Sequence, residues 1–175
     1  MAKERLIDLD WTKLTDEFMV KVEPKEIVAL LIVDHQDRIL LVQENHCDKN
    51  HGRENGQWNI VTETCEQQDG FFFDTACAGL IEEVTGGIAE FKFVAGTYNV
   101  QTLPLNDGKG FYIRHGVIVL CCQPELINKF SPIDSSEIAG YQWVDYDQLV
   151  LMADAGKVES DVLTFIQEYK DKGLL

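Results

Sequence analysis

The chain has 175 residues, 45% of them hydrophobic, and carries 15 Lys and Arg against 30 Asp and Glu. That length and composition predict one globular domain with ample chain for a core and exclude a disordered chain. The acidic balance repels polyanions at long range, which argues against a general nucleic-acid binder but not against a nucleotide held in a local pocket.

No apolar run approaches the roughly 20 residues that span a bilayer. The N-terminus, MAKERLIDLDW, is charged and lacks the apolar segment of a secretory signal. A cytoplasmic location with no membrane contact is the expectation. Cys47, Cys65, Cys77, Cys121 and Cys122 form no even-numbered framework and read as free thiols.

Residues 1–24 read as an N-terminal extension or edge strand, with Trp11, Leu14, Phe18, Val20 and Val22 as its apolar positions and Pro24 ending it. Ile27 to Val33, IVALLIV, fits a strand buried on both faces. A turn at Asp34–Asp37 and a returning strand from Arg38 to Gln43 complete a hairpin. The stretch from Glu44 to Gln57 is a long polar loop. It holds His46, Cys47 and His51, but no second half of a four-ligand zinc pattern accompanies them, so it reads as a solvated loop. Arg53 in that loop is a candidate for contacting a phosphate.

Trp58 to Gly87 reads as strand, polar loop and amphipathic helix. Asp74 is the expected N-cap. Ala76, Cys77, Leu80, Ile81 and Val84 form the expected apolar stripe, and Gly86 and Gly87 the expected end. Of Phe71, Phe72 and Phe73, the last is expected to staple the helix to the core. Phe91 to Val100 predicts one strand with a bulge at Gly96, and Gln101 to Gly110 a loop turning at Asn106-Asp107-Gly108. Phe111 to Cys122 predicts a long strand on which Arg114 and His115 face opposite ways. Asp145 or Asp147 is expected to cap a helix near residues 148–155, and Ser160 a last helix with Val162, Leu163, Phe165, Ile166 and Tyr169 on one face.

The strand–loop–helix ending in E-E-V-T-G, and the later Glu137 followed by Trp143-Val144-Asp145, resemble the Nudix superfamily. Its box reads G-x5-E-x7-R-E-U-x-E-E-x-G-U, with U a bulky aliphatic residue. The resemblance spans roughly residues 25–170 and implies an α/β/α sandwich with a mixed sheet. It further implies hydrolysis of nucleoside diphosphates linked to another moiety, with Mg2+ or Mn2+.

The box is degenerate. With Gly86 on the late glycine, Glu83 is kept, while Gly79, Leu80 and Val84 stand for Arg, Glu and Glu, and Ile81 fits U. A second register makes Glu82-Glu83 the E-E pair, with Ala78 and Gly79 in place of Arg-Glu and one residue inserted before Gly86. The first is preferred, because the apolar stripe places Glu82 in water. Family members often have an aromatic residue and then Pro-Gly-Gly before the box; here Trp58 is followed by Val61-Thr62-Glu63.

Carried over residue by residue, the resemblance implies Glu83 and Glu137 as catalytic residues. It implies Glu83, Glu82 and Glu66 as metal ligands, with Arg53, Trp58 and Phe71 contacting substrate. Loss of carboxylates from a hard-cation site favours weak or absent metal-dependent hydrolysis. The alternative is a catalytically silent domain that binds a nucleotide-like ligand or a protein partner. Such folds commonly form homodimers, and the sequence marks no interface.

Overall fold

Every residue of β1 (Ile27–Val33) is buried, as its unbroken apolar run requires of a strand covered on both faces. In the computed structural model, which describes residues 18–45, 56–85, 90–127 and 138–175, β1 is the axis of a mixed sheet. It runs parallel to β7 (Phe111–Cys121) and antiparallel to β2 (Ile39–Glu44) and β4 (Val61–Thr64). The central order is β3-β2-β1-β7-β5, where β3 is Trp58–Asn59 and β5 is Phe91–Phe93. β6 (Asn99–Pro104) adds to β7, and β8 (Ile138–Val144) adds to β2.

Strand alternation sorts the core into two layers. Val28, Leu30 and Ile32 pack with Phe72 and Ala76 of α1 (Phe72–Gly79), with Leu80 and Val84 of the π turn that follows (Leu80–Thr85), and with Ile127 of α2 (Pro124–Ile127). Ala29, Leu31 and Val33 pack with Leu149 of α3 (Tyr146–Asp154) and with Val162, Phe165, Ile166 and Tyr169 of α4 (Val162–Asp171). This is the expected α/β/α sandwich. No helix among the described residues is long and apolar enough to cross a membrane.

Several local expectations are corrected. Phe71, not Asp74, occupies the N-cap of α1, with no side-chain cap; the backbone of Phe72 instead donates to Val20 O at 2.8 Å, tying the helix start to the preceding segment. Phe72 is the fully buried anchor, while Phe73 is 38% exposed beside Phe93. Ile81 is 45% exposed, whereas Leu80 and Val84 are core; the π turn winds more slowly than an α-helix and so shifts which residues face the sheet. The expected strand from Phe91 to Val100 is two strands, β5 and β6, because Gly96 at φ 76° makes a turn rather than a bulge, and β6 extends into the expected loop.

At α3, Asp145 is the cap and forms a full capping box with Gln148. The N-cap of α4 is Asp161 rather than Ser160. Of the N-terminal edge strand, Lys21 forms an isolated bridge with Phe71, and residues 1–17 lie outside the described residues, as do the predicted helix end at Gly86-Gly87 and the histidines of the long loop.

Candidate functional site

β4 separates two polar regions, one under α1 and one under α4. It pairs Val28 with Glu63 and Ala29 with Thr62. Val61 and Glu63 face α1: a Cβ on Gly79 would lie 3.2 Å from Glu63 Cβ and 3.7 Å from Val61 Cγ1. Thr62 faces the other way, into a cavity of about 10 Å3 shared with Asn59, Arg114, Glu159 and Asp161. That volume admits at most one water.

On the α1 side, the imidazole of His115 is 4% exposed and bridges two partners. Its Nε2 is 2.7 Å from Glu26 Oε2, and its Nδ1 is 2.8 Å from the Tyr98 hydroxyl. With Glu26 ionised, one neutral tautomer satisfies both contacts: Nε2–H donates to the carboxylate and Nδ1 accepts from Tyr98. Burial, reinforced by the Glu26 charge, raises the Tyr98 pKa and keeps the phenol protonated. On the α4 side, Arg114 is 6% exposed and donates Nε and Nη2 to Gln101 Oε1 at 3.2 and 2.8 Å. Its Nη1 pairs with Asp161, and its guanidinium lies 4.7 Å from the Phe165 ring centroid. The buried Glu159 accepts from the Asn59 side chain.

Arg114 and His115 thus face opposite layers, as alternation predicts. The other members of these networks were not legible, although one signal was present. Two adjacent ionisable residues in an apolar strand demand polar partners on both faces, since a buried charge without partners is costly.

An open groove of about 660 Å3 runs past Glu26. Lys25, Leu105, Phe111 and Tyr112 line it, and it shares Ile27 and Tyr112 with the small cavity. Phe111 is 73% exposed. Glu23, Glu26 and Thr64 also line the groove, which thus sets an aromatic and aliphatic wall beside one ammonium group and two carboxylates.

Of the residues singled out from the sequence, Glu82 and Glu83 stand on the π turn, Glu66 in the loop before α1, Phe71 at the start of α1 and Trp58 on β3. Glu83 is half-buried in the π turn, and its backbone carbonyl accepts from the Tyr141 hydroxyl at 2.5 Å. Glu82 is exposed. Glu66 is exposed in the loop before α1, where its N–H donates to Asp69 Oδ2 at 2.7 Å and its carboxylate accepts from Gln68. Trp58 clasps the segment between α3 and α4: its N–H donates to Lys157 O at 2.9 Å and its carbonyl accepts from Glu159 N at 3.0 Å. Phe71 is half-buried against Lys21 and away from the groove lining. Arg53 and Glu137 lie outside the described residues.

The Nudix resemblance implies a divalent ion. Among the described residues no three His, Cys, Asp or Glu side chains gather closely enough to share it.

Cys65 is buried beside Thr75. Burial pushes its thiol from 9.0 up to about 11, and nearby Glu26, Asp69 and Glu63 add to this, partly offset by the Thr75 hydrogen bond. Burial likewise raises Cys121 to about 11. The native fold holds these protons where the unfolded chain releases them, so stability is expected to fall as pH rises from 9.0 towards about 11. Denaturant midpoints across that window check this, and an unchanged midpoint in a Cys65→Ser, Cys121→Ala variant would identify the thiols as the source.

No family model matches this chain, and no curated protein does. Solved structures do. A Nudix hydrolase from Nitrosomonas europaea superimposes with a TM-score of 0.62 at 18% identity, covering 86% of this chain and 90% of that one. The Nudix domain of Shewanella oneidensis NrtR, complexed with ADP ribose, gives 0.60 at 14% identity, covering 97% and 96%. A bifunctional NMN adenylyltransferase/ADP ribose pyrophosphatase from Francisella tularensis, complexed with AMP and a manganese ion, gives 0.62 at 15% identity, covering 93% of this chain and 45% of that one. This chain has the Nudix fold.

Proposed function

We propose that this chain is a Nudix-superfamily protein that binds a nucleotide-like small molecule, with hydrolysis at its box helix weak or absent. The observation that supports ligand binding is the open groove of about 660 Å3 beside β1, lined by Phe111 and Tyr112 and by Lys25 between Glu23 and Glu26. An aromatic face stacks a base, and an ammonium group attracts a phosphate. Two neighbours of the same fold carry ADP ribose or AMP in their structures.

Thermal melting with a panel of nucleosides, nucleoside mono- and diphosphates and ADP-sugar compounds tests the reading. One class is expected to raise the melting temperature by several degrees at saturation, as any ligand specific for the folded state does. Phe111→Ala and Lys25→Ala should each weaken that response about tenfold, the scale of one lost stacking or charge-assisted contact. No response to any member of the panel removes the nucleotide reading and leaves a domain whose acidic surface selects a basic protein partner.

A second reading, metal-dependent hydrolysis of a nucleoside-diphosphate derivative, draws on Glu82-Glu83 following Leu80 at the spacing of the family's E-E pair. The burial of Leu80 and Val84 and the exposure of Ile81 are what the second register asks of them. Turnover that requires Mg2+ or Mn2+ and disappears in Glu83→Gln would establish it.

A further inference from the structure

The contact between Gly79 and Glu63 bears on the metal that the fold implies. In the register that buries Leu80, the box pattern has glutamate at position 79, and the turn before it has glycine at position 63. This chain has glycine at 79 and glutamate at 63, and the structure packs the two positions directly together. A Cβ at 79 would sit 3.2 Å from Glu63 Cβ, closer than ordinary van der Waals contact. α1 therefore lies so close against β4 that a side chain at 79 would require Glu63 to give way by a few tenths of an ångström.

The Glu63 carboxylate is turned along its own strand, where Oε1 accepts from Thr64 N at 3.0 Å. The turn beyond Gly79 is also pinned: the Tyr141 hydroxyl donates to the carbonyls of Glu83, at 2.5 Å, and of Val84, at 3.1 Å. Glu82 stays exposed and Glu83 half-buried.

We propose that this glycine–glutamate exchange abolishes the divalent-ion site of the box helix. The missing carboxylate is not restored by Glu63. It is replaced by a close helix–strand contact, so whatever this chain binds is bound there without a metal ion. The inference rests on the fold and this contact, not on the identity of the ligand, and its test uses no nucleotide.

The test is Mn2+ titration of the full chain, read by the loss of the free-ion electron paramagnetic resonance signal, alongside melting curves with Mn2+ and with chelator. The wild-type chain is expected to show no saturable site tighter than millimolar and no metal-dependent melting shift. The reciprocal variant, Glu63→Gly with Gly79→Glu, is expected to gain a saturable site and a rise of a few degrees with Mn2+. Tight wild-type binding that weakens tenfold or more in Glu63→Gln, Glu82→Gln or Glu83→Gln overturns the proposal, because the box helix would then hold an ion. Tight binding untouched by these substitutions lies elsewhere and leaves the box helix without an ion, as proposed. A reciprocal variant that melts cooperatively yet gains no site shows that the exchange is not the cause, which also overturns the proposal. Should that variant not fold, the wild-type titration with the three single substitutions still decides.

Discussion

Phe72→Ala is expected to destabilise the chain by about 3–5 kcal/mol, the range for emptying a buried aromatic site. Phe72 is fully buried. Its ring centroid lies 6.0 Å from Phe18, 5.2 Å edge-on from Tyr98 and 6.1 Å from His115. The ring therefore joins the residues before β1, the first turn of α1 and the Glu26–His115–Tyr98 network. Alanine has the better helix propensity, but that gain is only a few tenths of a kcal/mol and does not offset the cavity. Denaturant midpoints at unchanged slope measure the loss. Phe73→Ala, at a 38% exposed position, is the control and should cost about 1 kcal/mol or less. Equal losses at the two positions would contradict the assignment of Phe72 as the anchor.

Gly116→Ala is expected to cost about 3 kcal/mol, the upper end for overpacking a core. A Cβ there would meet Asn99 Oδ1 at 2.5 Å and the Phe165 ring carbons at 2.7 and 2.9 Å. Asn99 can rotate away. Phe165 cannot move easily, because it is fully buried, lies beneath the Arg114 guanidinium and packs edge-on against Tyr169 at 5.2 Å. Glycine is required at 116 for this close approach, not for an unusual backbone angle. The same substitution in a Phe165→Leu background should cost less than in the wild type, since contacting residues couple by about 0.5–3 kcal/mol. Additive losses would mean that the helix, and not the ring, is what the new methyl displaces.

The two substitutions mark different degrees of legibility. The run at 27–33 announced a doubly buried strand, and Asp145 or Asp147 a helix start, of which Asp145 is the cap, because each signal is local: a hydrophobic run, or a side chain that can reach its own backbone. Alternation likewise placed Arg114 and His115 on opposite faces. The partners of those side chains were not legible, since Glu26 is 89 residues from His115 in sequence and Asp161 is 47 from Arg114. The exchange of Phe73 for Phe72 as the anchor has a similar cause. The helix begins earlier than the Asp74 cap suggested, because a backbone hydrogen bond to Val20 starts it.

For the candidate site, the strand–loop–helix layout was evident from residue order alone. The face that this helix turns to the core was not. A helical wheel assumes an even 3.6 residues per turn, and the π turn at Leu80–Thr85 breaks that assumption, keeping Leu80 and Val84 in the core as expected but turning Ile81 outward. The sequence by itself determined the layers, the strand–loop–helix unit and the acidic surface, because hydrophobic periodicity and charge act through near neighbours. Only the tertiary structure decided which side chains partner Arg114 and His115 and how closely positions 79 and 116 approach their neighbours. Those outcomes depend on how closely a helix approaches a strand, a distance that no local pattern encodes.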